Sequence, residues 1–156
     1  MAVTSKIVDL NAVAIFLVEN HPGWPFVNPA IQAGLEGAYR LVIPDVIPLR
    51  ARSILAHAWR IPAVETDRAV ESFLEHRNVH YAPLRRETYL RAYALSRELK
   101  HDVYDTLYLA LALEQGADAL LTCDTDFRKL CERVGLVYEN PVPRGVLAEF
   151  EAFGAR

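Results

Sequence analysis

Val103-Tyr104-Asp105-Thr106-Leu107-Tyr108-Leu109-Ala110-Leu111-Ala112-Leu113-Glu114-Gln115-Gly116, followed two residues later by Ala119-Leu120-Leu121-Thr122-Cys123-Asp124, is the stretch that decides the fold. The first segment reads as a helix: Asp102 ahead of it is a good N-cap, its interior is rich in Leu and Ala, and Gly116 supplies the stop. The second is a short apolar run of the kind that forms a buried strand. A helix over 103–115 spans about 20 Å at about 1.5 Å per residue, and the strand after it must run back along it in the opposite sense. Asp124 therefore returns to the level of Asp105, which stands in the first turn of the helix.

Outward from this unit the chain alternates in the same way. Lys6-Ile7-Val8-Asp9 reads as a short buried strand ending in an acid, and Ala12 to Glu19 as a helix stopped by His21-Pro22-Gly23. Gly23 to Pro29 is turn-rich, and a helix is expected from Ala30 to Tyr39 across Gly34 and Gly37. Leu41-Val42-Ile43 is a second strand closed by Pro44. Asp45 is placed to cap a helix from Val46 to Arg60, with Pro48 in its first turn. Thr66 begins another helix, with Ala69, Val70, Phe73 and Leu74 on one buried face. Val79 to Ala82 forms a third strand, Glu87 to Lys100 a helix, Asp124 to Arg133 another, and Leu136-Val137-Tyr138 a last strand. A tail helix follows near Val146 to Phe153.

Apolar strands alternating with amphipathic helices predict a single domain over 1–156, a three-layer α/β/α fold with a central, mainly parallel sheet. Its tail, about 143–156, either swaps onto a partner or covers the last helix. Sites in such sheets lie at the carboxyl ends of the strands. Asp9 ends one strand there, so Asp9, Asp105 and Asp124, far apart in sequence, converge at one edge.

Composition excludes several classes. A chain of 156 residues with 52% hydrophobic and 24% charged residues is neither disordered nor a two-domain enzyme. A core of this size needs no disulfide or structural metal. The net charge of -3 excludes a protein that coats nucleic acid through phosphate contacts alone, and leaves room for a metal-bridged or locally basic site. Cys123 and Cys131 lie eight apart without a zinc-ligand pattern, which points to a reducing cytoplasm. The uncharged run Ala12 to Val18 is too short for a membrane span. Fourteen arginines against three lysines favour planar contacts to carboxylate or phosphate, or reflect genome composition.

Clustered carboxylates repel one another unless a cation occupies the site, and an all-oxygen donor set suits Mg2+ or Mn2+. Such an ion activates water and stabilises charge on a phosphoryl group. Asp126 stands two residues beyond Asp124 as a further ligand or a holder of bound water. Asn11, two beyond Asp9, is placed to hydrogen-bond that water or a phosphate oxygen. Each acid also has a purely structural explanation. Asp9 or Asn11 caps the following helix, Asp124 caps the next, and Asp105 faces a helix dipole three residues after Asp102.

Ile7-Val8-Asp9-Leu10-Asn11, Val103 to Ala112, and Leu120-Leu121-Thr122-Cys123-Asp124-Thr125-Asp126-Phe127 resemble the PIN-domain ribonucleases, most of all their VapC-like toxin branch. The resemblance runs in order over nearly the whole chain. It implies a Mg2+ or Mn2+ site on Asp9, Asp105 and Asp124, with Asp126 matching an accessory acid of some members. It further implies endonucleolytic cleavage of RNA, a homodimer, and a small antitoxin protein that blocks the site.

One position departs from the family pattern. The second acid, a Glu six residues after a Pro at the end of the second strand, falls on Arg50 in Pro44-Asp45-Val46-Ile47-Pro48-Leu49-Arg50. This replacement changes the local charge by two, and a guanidinium cannot be deprotonated to relieve it. Arg50 either pairs with Asp9 or Asp105 and neutralises the cluster, or contacts RNA phosphate while three aspartates hold one ion. Asp45 and Glu36 are the acids available to replace the missing one. The stretch with Arg50, Arg52 and Arg60, and a second from Arg85 to Lys100, are the basic segments available to line an RNA groove, or else solvated helix faces. Trp24, Trp59, Tyr104 and Tyr108 either stack on bases or pack in the core. His57 and His101 lie near the acids in sequence without an evident partner.

Three readings follow: a metal-dependent ribonuclease, a PIN fold that binds RNA or protein without cutting, and an unrelated receiver-like α/β module. The last lacks a convincing acceptor Asp at the end of a central strand.

Overall fold

The computed structural model describes residues 2–154. The domain span 1–156 thus includes three residues, 1, 155 and 156, that lie outside the described ones. The elements run β1 (Ser5–Val8), α1 (Leu10–Phe16), α2 (Trp24–Leu35), β2 (Arg40–Pro44) and α3 (Ile47–Ser53), which continues into a π-helical turn (Ile54–Ala58). Next come α4 (Ala63–Leu74), β3 (Val79–Ala82), α5 (Arg86–Leu99), α6 (Val103–Gln115), β4 (Ala119–Leu121), α7 (Phe127–Val134) and β5 (Val137–Glu139). A short α8 (Arg144–Leu147) and a 3-10 turn (Phe150–Ala152) complete the chain.

All five strands are parallel, in the order β3-β2-β1-β4-β5. Ile7 faces Val42 on one side and Leu120 on the other. Central parallel strands are covered on both faces and so read as unbroken apolar runs. Ile7, Val8, Leu41, Val42, Ile43 and Leu120 are completely buried. Helices α1 to α4 pack with one another, as do α5, α6 and α7. Right-handed crossovers require this division, because the chain moves one way from β1 to β3 and the other way from β3 through β4 to β5. Helix α6 lies against β1, β2 and β4, and its residues Tyr108 to Ala112 are all buried, which is why its sequence is apolar nearly all round.

The predicted α6 has the bounds read from the sequence, with the Tyr104 amide donating to Asp102 Oδ1 at 2.8 Å. Three local expectations are corrected. Helix α2 begins at Trp24 rather than Ala30, because Pro25 falls in its first turn, where an N–H is not needed. Pro29 forgoes one hydrogen bond inside it, and burial of Val27 and Ile31 holds the helix in place. It ends at Leu35; a Cβ on Gly34 would lie 2.6 Å from the Tyr39 ring and 2.7 Å from Leu41, so the glycine admits their close approach.

Asp45 does not cap α3. The Asp45 amide still pairs with the Ala82 carbonyl at 2.9 Å, extending the β2–β3 ladder, so the helix starts later with Val46 as its N-cap and no side-chain capping bond. Helix α7 likewise starts at Phe127, after a turn in which the Asp126 amide donates to Asp124 Oδ1 at 2.9 Å.

The tail folds back onto its own chain at a place the sequence did not suggest. The rings of Phe150 and Phe153 close over His21 at 4.7 and 4.5 Å, and Phe153 also meets Trp59 at 5.3 Å. His21 is buried, and its Nδ1 accepts the Gly23 amide at 3.0 Å. Burial pulls its pKa down to about 4, so the imidazole is neutral at physiological pH.

Candidate active site

Crossovers leaving β1 and β4 go to opposite faces of the sheet, and the crevice between their carboxyl ends is the switch point where ligands bind in open α/β sheets. Asp9 follows β1 directly and is 6% exposed. Thr122, the residue after β4, donates its hydroxyl to Asp9 Oδ2 at 2.7 Å and accepts the Asp124 amide at 3.0 Å. From α6 the Tyr108 hydroxyl accepts the Leu10 amide at 3.2 Å and lies beside the Asp9 carboxyl, whose pKa it lowers. Burial raises the Asp9 pKa to about 6, the charge of Asp124 pushes the same way, and bonds from Thr122, Tyr108 and the Leu10 amide oppose it. Tyr108, buried against this carboxylate, stays protonated with its pKa well above the ordinary value.

Asp105 sits in the first turn of α6, with Oδ2 held by His101 Nε2 at 2.7 Å. Its pKa is raised, first by burial and then by Asp124, against the lowering effect of the His101 bond. Asp124 pushes the pKa of both Asp9 and Asp105 upward, and Thr122 joins the Asp9 carboxylate to the Asp124 amide. Asp126 is exposed; its amide orients Asp124, while its carboxylate makes no hydrogen bond or ion pair among the described residues.

The donor chemistry suits a hard divalent cation. Asp105 Oδ1 and Asp124 Oδ2 accept no hydrogen bond among the described residues, and neither Asp9 nor Asp124 is paired with a cationic side chain there. Among the described residues no three His, Cys, Asp or Glu side chains are gathered tightly enough to hold a metal directly. A loose set of carboxylates fits Mg2+ best, since that ion keeps several of its waters and takes one or two carboxylates directly.

Arg50 occupies this neighbourhood without neutralising the acids. It makes no salt bridge among the described residues. Its guanidinium lies 5.6 Å over the ring of Tyr104, which is 64% exposed, and its charge reaches Tyr108. Pairing with Asp9 or Asp105, one of the two alternatives for Arg50, is thus replaced by a cation–π contact at the rim. Of the two substitute acids, Glu36 sits where α2 ends, at the amino edge of the sheet, bonded to Gln32, while Asp45 is exposed just after β2.

Asn11 turns inward to a structural task, its Oδ1 accepting the Cys123 amide at 3.1 Å and tying α1 to the loop after β4. Arg52, expected to face RNA, is engaged by Asp67 at 2.6 Å. Trp24 donates to the Phe16 carbonyl, and Trp59 packs on His21. Cys123 is buried, with its thiol pushed up to about 12, so it supplies no thiolate. Sequence reasoning missed Thr122, Tyr108 as a polar group, and the His101–Asp105 pair. The last was signalled by the i, i+4 spacing across the start of α6.

A parallel five-stranded sheet of this order, covered by helices and with acids at its switch point, defines a three-layer α/β/α domain. The PIN domain family model matches residues 7–133, and the chain belongs to that family, whose members are generally divalent-metal-dependent ribonucleases. No curated protein matches the sequence significantly. Among solved structures, a chain of VapBC2 from Rickettsia felis, crystallised bound to a DNA fragment from the promoter, superposes with a TM-score of 0.64. The match covers 86% of this chain and 97% of that one at 13% identity, a likeness of fold.

Proposed function

We propose that the chain is a metal-dependent endoribonuclease of the VapC-like kind, the toxin of a toxin–antitoxin pair. Asp9, Asp105 and Asp124 hold Mg2+ or Mn2+ in this reading, and Asp126 assists through bound water. The observation that carries it is the Thr122 hydroxyl joining Asp9 to the Asp124 amide at the switch point, with Asp105 in the first turn of α6. Family membership and the VapBC2 fold support it.

When bound, the ion would supply Lewis-acid stabilisation of phosphoryl oxygens and would lower the pKa of a bound water. The protein's part is to keep its carboxylates ionised and aimed. With a pKa of about 6, Asp9 is mainly ionised at pH 7, and Thr122 fixes its rotamer. His101 holds one oxygen of Asp105 and the Asp126 amide holds one oxygen of Asp124, which leaves the other oxygen of each free to bind. Arg50, propped on Tyr104, presents a cation to an RNA phosphate at the rim. The homodimer and the antitoxin belong to the same proposal. So does the cytoplasm, where the free thiols Cys123 and Cys131 stay reduced. No helix among the described residues is long and apolar enough to cross a membrane.

Purified protein is incubated with single-stranded and structured RNA in Mn2+, Mg2+ or chelator, beside Asp105→Asn protein. Cutting that requires metal and vanishes in Asp105→Asn is the expected result. A second reading, a PIN fold that binds RNA or protein without cutting, is favoured by Arg50, a cation where the family has a carboxylate. Absence of cutting in every ion, with activity gained in Arg50→Glu, would establish it.

A further inference from the structure

A groove of about 690 Å³ opens beside Asp124, at the carboxyl ends of β4 and β5. This lies within the ~300–1,000 Å³ range of small-molecule sites and far exceeds what a single small anion needs. Tyr138 lines it and is held in place: its hydroxyl donates to the Asp124 carbonyl at 3.3 Å and accepts the Asn140 amide at 3.1 Å. Arg128 of α7 lies 5.6 Å over the Tyr138 ring, and Arg144 of α8 also lines the groove. Neither arginine makes a salt bridge or side-chain hydrogen bond to protein among the described residues. Other arginines are committed: Arg52 to Asp67, Arg40 to Gln115, and Arg133 to the Leu99 carbonyl.

Two uncommitted guanidinium groups lining one groove, one of them over a fixed aromatic ring, suit an anion that continues away from the neighbouring Asp124. We infer that this groove is the exit track of single-stranded RNA, in which Arg128 and Arg144 bind phosphates flanking the one held at Asp9, Asp105 and Asp124. The inference rests on the ribonuclease reading for the identity of the strand. Planar guanidinium groups bind phosphate oxygens bidentately. Such contacts set register without reading sequence, so the track accepts any base order.

The test is the binding of a fluorescein-labelled single-stranded RNA 12-mer to the whole chain in chelator, followed by anisotropy across a salt series. Arg128→Gln/Arg144→Gln is compared with Arg40→Gln/Arg77→Gln, whose positions lie at the amino edge of the sheet. The groove variant is expected to bind about tenfold more weakly or worse, with the salt slope reduced by about 1.4, since each phosphate contact on a single strand contributes about 0.7. The control should stay within about twofold of the parent. Arg128→Lys/Arg144→Lys, which keeps both charges, should recover the slope. In the metal-dependent cutting assay, KM should rise while kcat holds, the signature of lost uniform binding.

Equal affinity and slope in the groove and control variants would overturn the track while leaving the ribonuclease standing. RNA binding that depends on the two arginines, without cutting in any ion, would uphold the track and remove the ribonuclease. A parent chain that binds no RNA in chelator overturns the track, and the metal-dependent cutting assay decides the ribonuclease separately. Both arginines are exposed, so unchanged melting shows that the variants fold.

Discussion

The Thr122 hydroxyl donates to Asp9 Oδ2 at 2.7 Å across 113 residues of sequence, while accepting the Asp124 amide at 3.0 Å. One side chain thus ties the ends of β1 and β4 to each other and places two carboxylates. Thr122→Val leaves a buried carboxylate oxygen and an amide without this partner, a loss of about 1–3 kcal/mol. Melting should fall by several degrees at about 2–4 °C per kcal/mol for a chain of this size, and Mn2+ affinity with it. Thr122→Ser should restore both. Calorimetry on the three proteins checks this, and an unchanged Mn2+ affinity in the valine variant would refute the positioning role.

The buried Asp9 gives stability a pH dependence in chelator. Its pKa is about 6 in the folded chain against an ordinary 3.8, so between these values the unfolded chain is ionised while the folded chain keeps the proton. Stability from this group falls as pH rises from about 4 to about 6 and is level above, by about 3 kcal/mol in all. Asp9→Asn removes the dependence. Its advantage over the parent should grow through that window in chelator and shrink when Mn2+ is added. An advantage constant with pH would contradict the raised pKa.

His21 acts in the opposite sense. Its pKa drops from 6.5 to about 4 on folding, so on acidification through that window the unfolded chain takes up a proton that the folded chain refuses. Stability from His21 is lost as pH falls, again by about 3 kcal/mol. From about pH 4 to 6 the two groups nearly cancel. The parent's melting profile should be flatter there than that of Asp9→Asn or of His21→Asn, which should slope in opposite directions. Thermal melts across pH 4 to 7 on the three proteins decide it.

Metal should stabilise the folded chain by mass action, about 2.7 kcal/mol at a hundredfold excess over Kd. A thermal-shift titration with Mn2+ should show this in the parent and lose most of it in Asp105→Asn and in Asp124→Asn. Retention of the full shift in either variant would place the ion elsewhere.

Arg50→Glu changes the charge beside the acids by two and gives up only a rim contact with Tyr104. Mn2+ affinity should rise by about tenfold or more, equivalent to about 1.4 kcal/mol. Calorimetric titration reads it directly. Equal affinity in the two proteins would show that the guanidinium lies too far out to oppose the ion.

Periodicity and caps made the strand and helix order legible. The apolar runs at Ile7-Val8, Leu41 to Ile43 and Leu120-Leu121 have few ways to be buried except as parallel strands covered on both faces. Asp102 and Gly116 bound α6 because capping depends on adjacent residues alone. Where sequence reading failed, a longer-range contact overrode the local signal. Burial of Val27 and Ile31 carries α2 through Pro29, and the β2–β3 ladder draws Asp45 away from its cap.

By itself, then, the sequence determined the α/β order of elements and put Asp9 after β1, Asp105 in the first turn of α6 and Asp124 after β4, because strand direction follows from chain length and connection. Only the tertiary structure decided what surrounds them. Thr122 on Asp9, His101 on Asp105, Arg50 over Tyr104 instead of on an acid, and Arg128 with Arg144 in one groove depend on side-chain rotamers and on how the elements pack. Burial had to be established before the Asp9 carboxyl could be known to titrate near 6, since desolvation is a property of the packed fold and not of the residue.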